Sequence, residues 1–213
     1  MIIYNFDLRD KYNLVKSSQQ GTCNMCWAIA ISDCLTDKYR IKGKMGNNER
    51  IDIMDIARRY SCNSSENKCD YCLASPYLTV IDFCIRTGCI SDLKNRYKPI
   101  GKKKLTHDEA LHELYYNGPV MAVLMVYVSS DERSLYNYKS GIYGIDWWVN
   151  NDIPKKKEGY HIVTIIGWGV EDDIDYWIVR NSWGMKFGDK GTFKILRRVN
   201  CCEIEDDLYS ILI

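Results

Sequence analysis

Gln20, Cys26, His161 and Asn181 supply the groups that cleavage through a thiol needs. They are a sulfur nucleophile, a base, a group to orient the base and an oxyanion donor. Cys26 follows the polar stretch Gln20-Gly21-Thr22-Cys23-Asn24-Met25, and Trp27, Ile31 and Leu35 then fall four apart with Ala30 and Cys34 beside them. That spacing predicts an amphipathic helix with Cys26 in its first turn. Unpaired N–H groups and the macrodipole there favour an anion, which predicts a thiol shifted toward thiolate. Taken alone, Cys26 fits two other readings. One is a buried structural thiol; the other is a four-thiolate zinc site with Cys23, Cys69 and Cys72. The two Cys-x-x-Cys pairs stand much further apart than the roughly 15–20 residues of the usual zinc ribbon.

The partners decide among these. If the segments around His161 and Asn181 form an antiparallel hairpin centred near Glu171, the two residues oppose each other at its open end. An amide oxygen accepting the imidazole N–H fixes the tautomer and turns the other ring nitrogen toward the thiol. Gln20, six residues before Cys26, can project its amide into the same cleft and pair with the Cys26 N–H as a two-donor oxyanion hole. Trp183 is placed to cover the His–Asn hydrogen bond and keep water off it.

Positioning these groups requires a folded core. The chain has 213 residues, 46% of them hydrophobic, and a formal net charge of +1. It is long enough for one large domain or two halves around a cleft, and its charge points to no nucleic acid, membrane or strongly acidic partner. Lys102-Lys103-Lys104 and Lys155-Lys156-Lys157 read as solvated loops. No window nears the roughly 18 apolar residues of a membrane span, and Asp7, Arg9, Asp10 and Lys11 end any signal-like apolar run at once. Ten cysteines suggest disulfides. With Cys26 free, an odd number remain. Cys23, Cys62, Cys69 and Cys72, grouped around the first helix and a loop, are the first candidates for bridging.

Residues 1–19 read as extended. Further helices are predicted around Ile53, Ile56, Ala57 and Tyr60, from Pro76 to Gly88, and from a Thr106–Glu109 capping box to Asn117. Residues 61–75 read as a loop and 91–105 as a basic linker, while His107 and His112 read as surface residues. Val120–Val128, Tyr160–Gly167, Tyr176–Arg180, Gly191–Leu196 and Asp207–Ile213 read as strands. Helices first and strands second predict an α+β chain of two subdomains with a cleft between them.

Gln20-Gly21-Thr22-Cys23-Asn24-Met25-Cys26-Trp27-Ala28, Gly159-Tyr160-His161 with Gly167-Trp168-Gly169, and Asn181-Ser182-Trp183-Gly184 together resemble the motif blocks of papain-like cysteine peptidases. The cathepsin B-like branch looks nearest, from Asn117-Gly118-Pro119-Val120, Lys139-Ser140-Gly141-Ile142-Tyr143 and Gly169-Val170-Glu171. The resemblance implies a papain-like two-subdomain fold. A helical half of about 10–104 would carry the nucleophile, and a β-barrel-like half of about 105–213 would carry His161 and Asn181, in a single domain spanning 1–213. It implies Cys26 as nucleophile, His161 as general base and acid, Asn181 as orienter, Gln20 as oxyanion donor and a Cys23–Cys72 bridge. Ala74 and Ser75 stand where the family's Gly-Gly substrate strip would be, with Tyr160 and Trp183 along the cleft. Asp207 falls at the floor of the pocket for the second residue before the cut.

The departures are Asn24-Met25 for the family's Gly-Ser, and Ala74-Ser75 for Gly-Gly. Asn24 would occupy a left-handed position, and Met25 would place a large side chain beside the cleft. The two-histidine insertion that confers dipeptide trimming has no counterpart before Asn117, so an endopeptidase is expected. Its alternatives are an isopeptidase acting on ubiquitin-like tails and an inactive peptide-binding relative. A protein or peptide substrate, cystatin-like inhibitors and a monomer are the implied partnerships, with no cofactor and no metal. No propeptide or signal peptide is recognisable. The expected compartment is lysosomal or secretory for a mature fragment, and cytoplasmic or virion-associated for a chain that starts at Met1.

Overall fold

The computed structural model describes residues 4–64, 71–131, 133–149 and 156–213. Helix α1 (Cys26–Ile41) runs through the centre of the helical half, with α2 (Ile53–Ser64) and α3 (Tyr77–Thr87) packed beside it. The expected stripe understates α1, because every residue from Trp27 to Tyr39 is buried. Its buried Ser, Asp, Thr and Lys side chains are tolerated because each finds a partner, whereas the Tyr39 hydroxyl has none among the described residues. Ser32 Oγ donates to the Ile51 carbonyl (2.7 Å), Lys38 Nζ to Glu113 Oε1 (2.6 Å), and Asp37 accepts from Val15 N–H (2.8 Å). Pro76 sits one position before the first turn of α3, as its N-cap, and Gly88 (φ 73°) ends that helix in a left-handed conformation. Helix α4 (His107–Asn117) starts on the expected capping box: the Thr106 hydroxyl accepts from Glu109 N–H, and Glu109 reaches back to the Thr106 N–H.

The strands are β1 (Phe6–Asp7), β2 (Cys89–Ile90), β3 (Arg96–Tyr97), β4 (Gly101–Leu105), β5 (Val120–Val128), β6 (Ile142–Tyr143), β7 (Lys156–Glu171), β8 (Ile174–Arg180), β9 (Thr192–Leu196) and β10 (Leu208–Leu212). The main sheet is ordered β4-β10-β5-β7-β8-β9-β6, with β1 pairing β7; β6 and β9 are parallel and the other pairs antiparallel. Two apolar cores result. One joins the sheet to Ala110 and Leu114 of α4; the other joins α1–α3 to Met121, Val123, Ile162 and Ile211 of the sheet.

Several expectations change. Helix α2 continues through 61–64, which had read as loop, and residues 65–70 lie outside the described residues. The basic linker contains β3 and β4. Lys102, Lys103 and Lys104 therefore lie on an edge strand, paired with Asp82, Glu109 and Asp207. Lysines on an edge discourage pairing with another chain, and period-2 alternation cannot be seen in a Lys run. Lys156 and Lys157 begin β7, with Lys157 on Glu203 (2.5 Å); Lys155 lies outside the described residues. His112 is exposed, but His107 is half-buried, its ring 5.2 Å from that of Trp177.

Candidate active site

The β7–β8 hairpin turns at Asp172 and Asp173, both left-handed (φ 51° and 61°), as a two-residue hairpin requires. A register irregularity between Ile165 and Gly167 displaces the ladder, so Thr164 faces Arg180 and β8 ends there. His161 and Asn181 are therefore not an opposed pair, as the simple hairpin had them. His161 continues along β7 opposite Leu124, while Asn181 leaves the ladder and its N–H donates to the Gly191 carbonyl. Their side chains nevertheless meet, with His161 Nε2 2.8 Å from Asn181 Oδ1.

Chemistry fixes the tautomer. Asn181 Oδ1 also accepts from the Ser182 backbone N–H (2.7 Å), so the amide oxygen faces both neighbours. His161 Nε2 must then be the donor, which leaves Nδ1 as the free base in the neutral ring. Both side chains are buried, 5% and 2% exposed. The Trp183 ring stacks on His161 (5.0 Å, 25°), over the hydrogen-bonded pair as expected, and Tyr136 stacks on Trp183 in turn (4.6 Å, 21°). No local pattern singles out Tyr136, because its stacking on Trp183 is a contact between residues far apart in the chain.

Cys26 is the first residue of α1; it packs against the helical core and lines a cavity there. Burial pushes its thiol above the ordinary range, against the N–H groups of Ile162, Trp27 and Cys26 itself, which favour the thiolate. The expected downward shift is reversed because desolvation outweighs the helix terminus. Burial likewise lowers His161 to about 4, opposed by Asn181. Burial thus disfavours the charged form of each group, thiolate and imidazolium alike. The Ile162 N–H directed at Cys26 belongs to the residue after His161, so the sulfur lies against the strand that carries the base.

Gln20 is held from two sides. Its Nε2 donates to the Cys23 carbonyl (3.0 Å), and Ser182 Oγ donates to its Oε1 (2.5 Å); a flip would set Oε1 against that carbonyl and lose the first bond. One N–H of the amide remains for another acceptor. Segments 18–20 and 182–184 are joined by the Gln19–Trp183 bridge and by Gln20 N–H to Ser182 O (2.9 Å). The loop before the nucleophile is thus tied to the loop after Asn181. Ser182, adjacent to a residue singled out from sequence, was missed because its partner is 162 positions away.

A cavity of about 310 Å³ opens beside Cys26, lined by Trp27, Ala74, Ser75, Tyr77, Val123, Tyr160, Ile162, Glu203, Asp206 and Asp207. It gathers Ala74, Ser75, Tyr160 and Asp207, four of the five substrate-side residues named from sequence; Trp183 stands on the His161 side instead. Met25 is the N-cap of α1, half-buried and packed against the helical core, and Asn24 does not take the left-handed conformation. Cys23 and Cys72 form a disulfide, which removes two thiols from the zinc alternative. Cys62 is also disulfide-bonded, and Cys69 lies outside the described residues. Cys34, Cys84, Cys89, Cys201 and Cys202 are free and buried. Among the described residues, no cluster of three or more His, Cys, Asp or Glu could hold a metal, and no helix is long and apolar enough to cross a membrane.

Comparison with known proteins gives this arrangement its context. The chain is 30% identical over 96% of its length to a cathepsin B-like cysteine proteinase 3 of Caenorhabditis elegans, and 43% identical over 94% to a gut-specific cysteine proteinase of the same nematode. It spans 64% and 70% of those two relatives. Its fold matches procathepsin B S9 from Trypanosoma congolense (TM-score 0.82, 22% identity, 100% of this chain and 77% of that one). It also matches bromelain from Ananas comosus (TM-score 0.74, 20% identity, all of both chains). Residues 3–212 match the family described as papain family cysteine protease. The chain belongs to the papain family of cysteine proteases, and its relatives there include cathepsin B-like members.

Proposed function

We propose that this chain is a cysteine endopeptidase that cuts peptide bonds through a thioester on Cys26. The observation that carries the reading is the buried His161 Nε2–Asn181 Oδ1 hydrogen bond, which leaves Nδ1 as acceptor on the strand that contacts the Cys26 sulfur. In this mechanism the Cys26 proton passes to His161 Nδ1 as Sγ attacks the carbonyl. The oxyanion is held by the Cys26 N–H and the remaining Gln20 amide N–H. His161 then returns its proton to the leaving amine, and a water activated by the same nitrogen hydrolyses the thioester.

Ala74 and Ser75 pair with the substrate backbone, Tyr160 and Trp183 wall the cleft, and Asp207 meets the second side chain before the cut. The cavity beside Cys26 supports this placement. A nucleophile-bearing half of about 10–104 and a second half of about 105–213 belong to the same reading, and most of each apolar core comes from one of them. A monomer inhibited by cystatin-like proteins belongs to the same reading.

The test is a peptide blocked at both ends, with several residues on each side of the cleavage point. Internal cleavage is expected. Release of C-terminal dipeptides from amine-blocked, carboxyl-free peptides, with no internal cleavage, would contradict the endopeptidase reading.

A further inference from the structure

Three carboxylates line the cavity beside Cys26, and each is already engaged from outside it. Glu203 accepts from Lys157 Nζ (2.5 Å), Asp206 from the Asn200 amide (2.9 Å), and Asp207 from Lys104 Nζ (2.9 Å). The remaining lining is largely apolar or aromatic, and the buried Tyr77 hydroxyl in it has no hydrogen-bond partner. An entering cation would thus meet two acids already paired with lysines and a third hydrogen-bonded to a neutral amide.

Lys104 differs from the other two partners in its placement. It stands on β4 opposite Tyr209 of β10, and its ammonium lies 5.9 Å from the Tyr209 ring centroid. Asp207 immediately precedes β10, so the pair spans the β4–β10 junction at the edge of the pocket. Side chains of Lys104 and Asp207 are 56% and 43% exposed. At that exposure the pair is weak enough for a substrate to compete with it.

We propose that Lys104 is a specificity-determining residue, a resident counter-ion that competes with basic substrate side chains for Asp207. The proposal rests on the endopeptidase reading and on Asp207 facing the second residue before the cut. A guanidinium entering the pocket shares Asp207 with Lys104 and is repelled by its ammonium. An apolar side chain meets Trp27, Val123 and Ile162 and gains nothing from Asp207. The resident lysine therefore narrows the gap between basic and apolar substrates. Salt screens both attraction and repulsion, so its influence fades as ionic strength rises.

The experiment measures kcat/KM for paired peptides with Arg or Leu at that position, in the parent, Lys104→Met, Lys104→Glu and Asp207→Asn/Lys104→Met. The Arg/Leu ratio is expected to rise about two- to fivefold in Lys104→Met, the range of an exposed ion pair. It is expected to rise further in Lys104→Glu and to fall in the double variant to the parent value or below. An unchanged or lower ratio in both single variants, with cleavage intact, would overturn the role of Lys104. A rise that persists in the double variant would overturn the route through Asp207. Absence of cleavage of either peptide by the folded parent would instead contradict the endopeptidase reading, so the two failures are distinguishable.

Discussion

Arg180 Nη1 donates to Asp37 Oδ2 over 2.6 Å, with both side chains buried, and so joins the strand that delivers Asn181 to the helix that begins at Cys26. Asp33 sits on the same helix face, 3.5 Å from Arg180 Nε and also bonded to Arg50. Burial pushes the Asp37 carboxyl up despite Arg180 beside it, so the pair is held against a desolvation cost. What it provides is registration between the two parts of the site.

Breaking this pair leaves an uncompensated buried charge. Asp37→Ala or Arg180→Leu is expected to lower stability by about 3–5 kcal/mol, read from denaturant unfolding. The double variant is expected to lose clearly less than the two losses added together. Additive losses would show that the pair is not coupled.

Asn181→Ala removes the acceptor for His161 Nε2 and for the Ser182 N–H together. Turnover is expected to fall by about 10²–10⁴-fold, in the range for loss of a positioned base, with KM changed far less. A rise in KM at constant kcat would place Asn181 in substrate binding instead.

Gln20→Ala is expected to lower kcat by about 10²–10³-fold, as for removal of one oxyanion donor. Ser182→Ala, which frees the Gln20 amide to rotate while keeping it present, is expected to cost less. If Ser182→Ala proves the more damaging, the oxyanion assignment fails.

His161 gives a pH signature. Its value is lowered from 6.5 to about 4 on folding, with burial as the cause. Between those values the unfolded chain binds more protons than the native one, so this contribution is complete above pH 6.5 and is lost as pH falls toward 4. The loss is about 3 kcal/mol. Unfolding free energies at pH 4.5 and 7 are expected to differ by less in His161→Gln than in the parent. An equal difference in both would mean that His161 does not titrate in this way.

The chemistry was more legible in the sequence than the geometry that assembles it. The Cys26 helix, the Thr106 capping box and the apolar Val120–Val128 strand each follow from local spacing, and all three appear. The hairpin register slipped because a ladder irregularity between Ile165 and Gly167 leaves little trace in an apolar run. The direction of the Cys26 shift depends on burial against the packed helical core, which no local pattern encodes. Ser182 on Gln20, Tyr136 on Trp183 and Lys104 on Asp207 are long-range contacts, invisible until the chain is folded.

The central claim is that Cys26 is an assembled nucleophile. Its most direct test is intact mass after reaction with a peptidyl epoxide that alkylates papain-like thiols, for the parent and for Cys26→Ser. One adduct on the parent and none on the variant is the predicted result. No adduct on folded, reduced parent, or an equal adduct on both proteins, would contradict it.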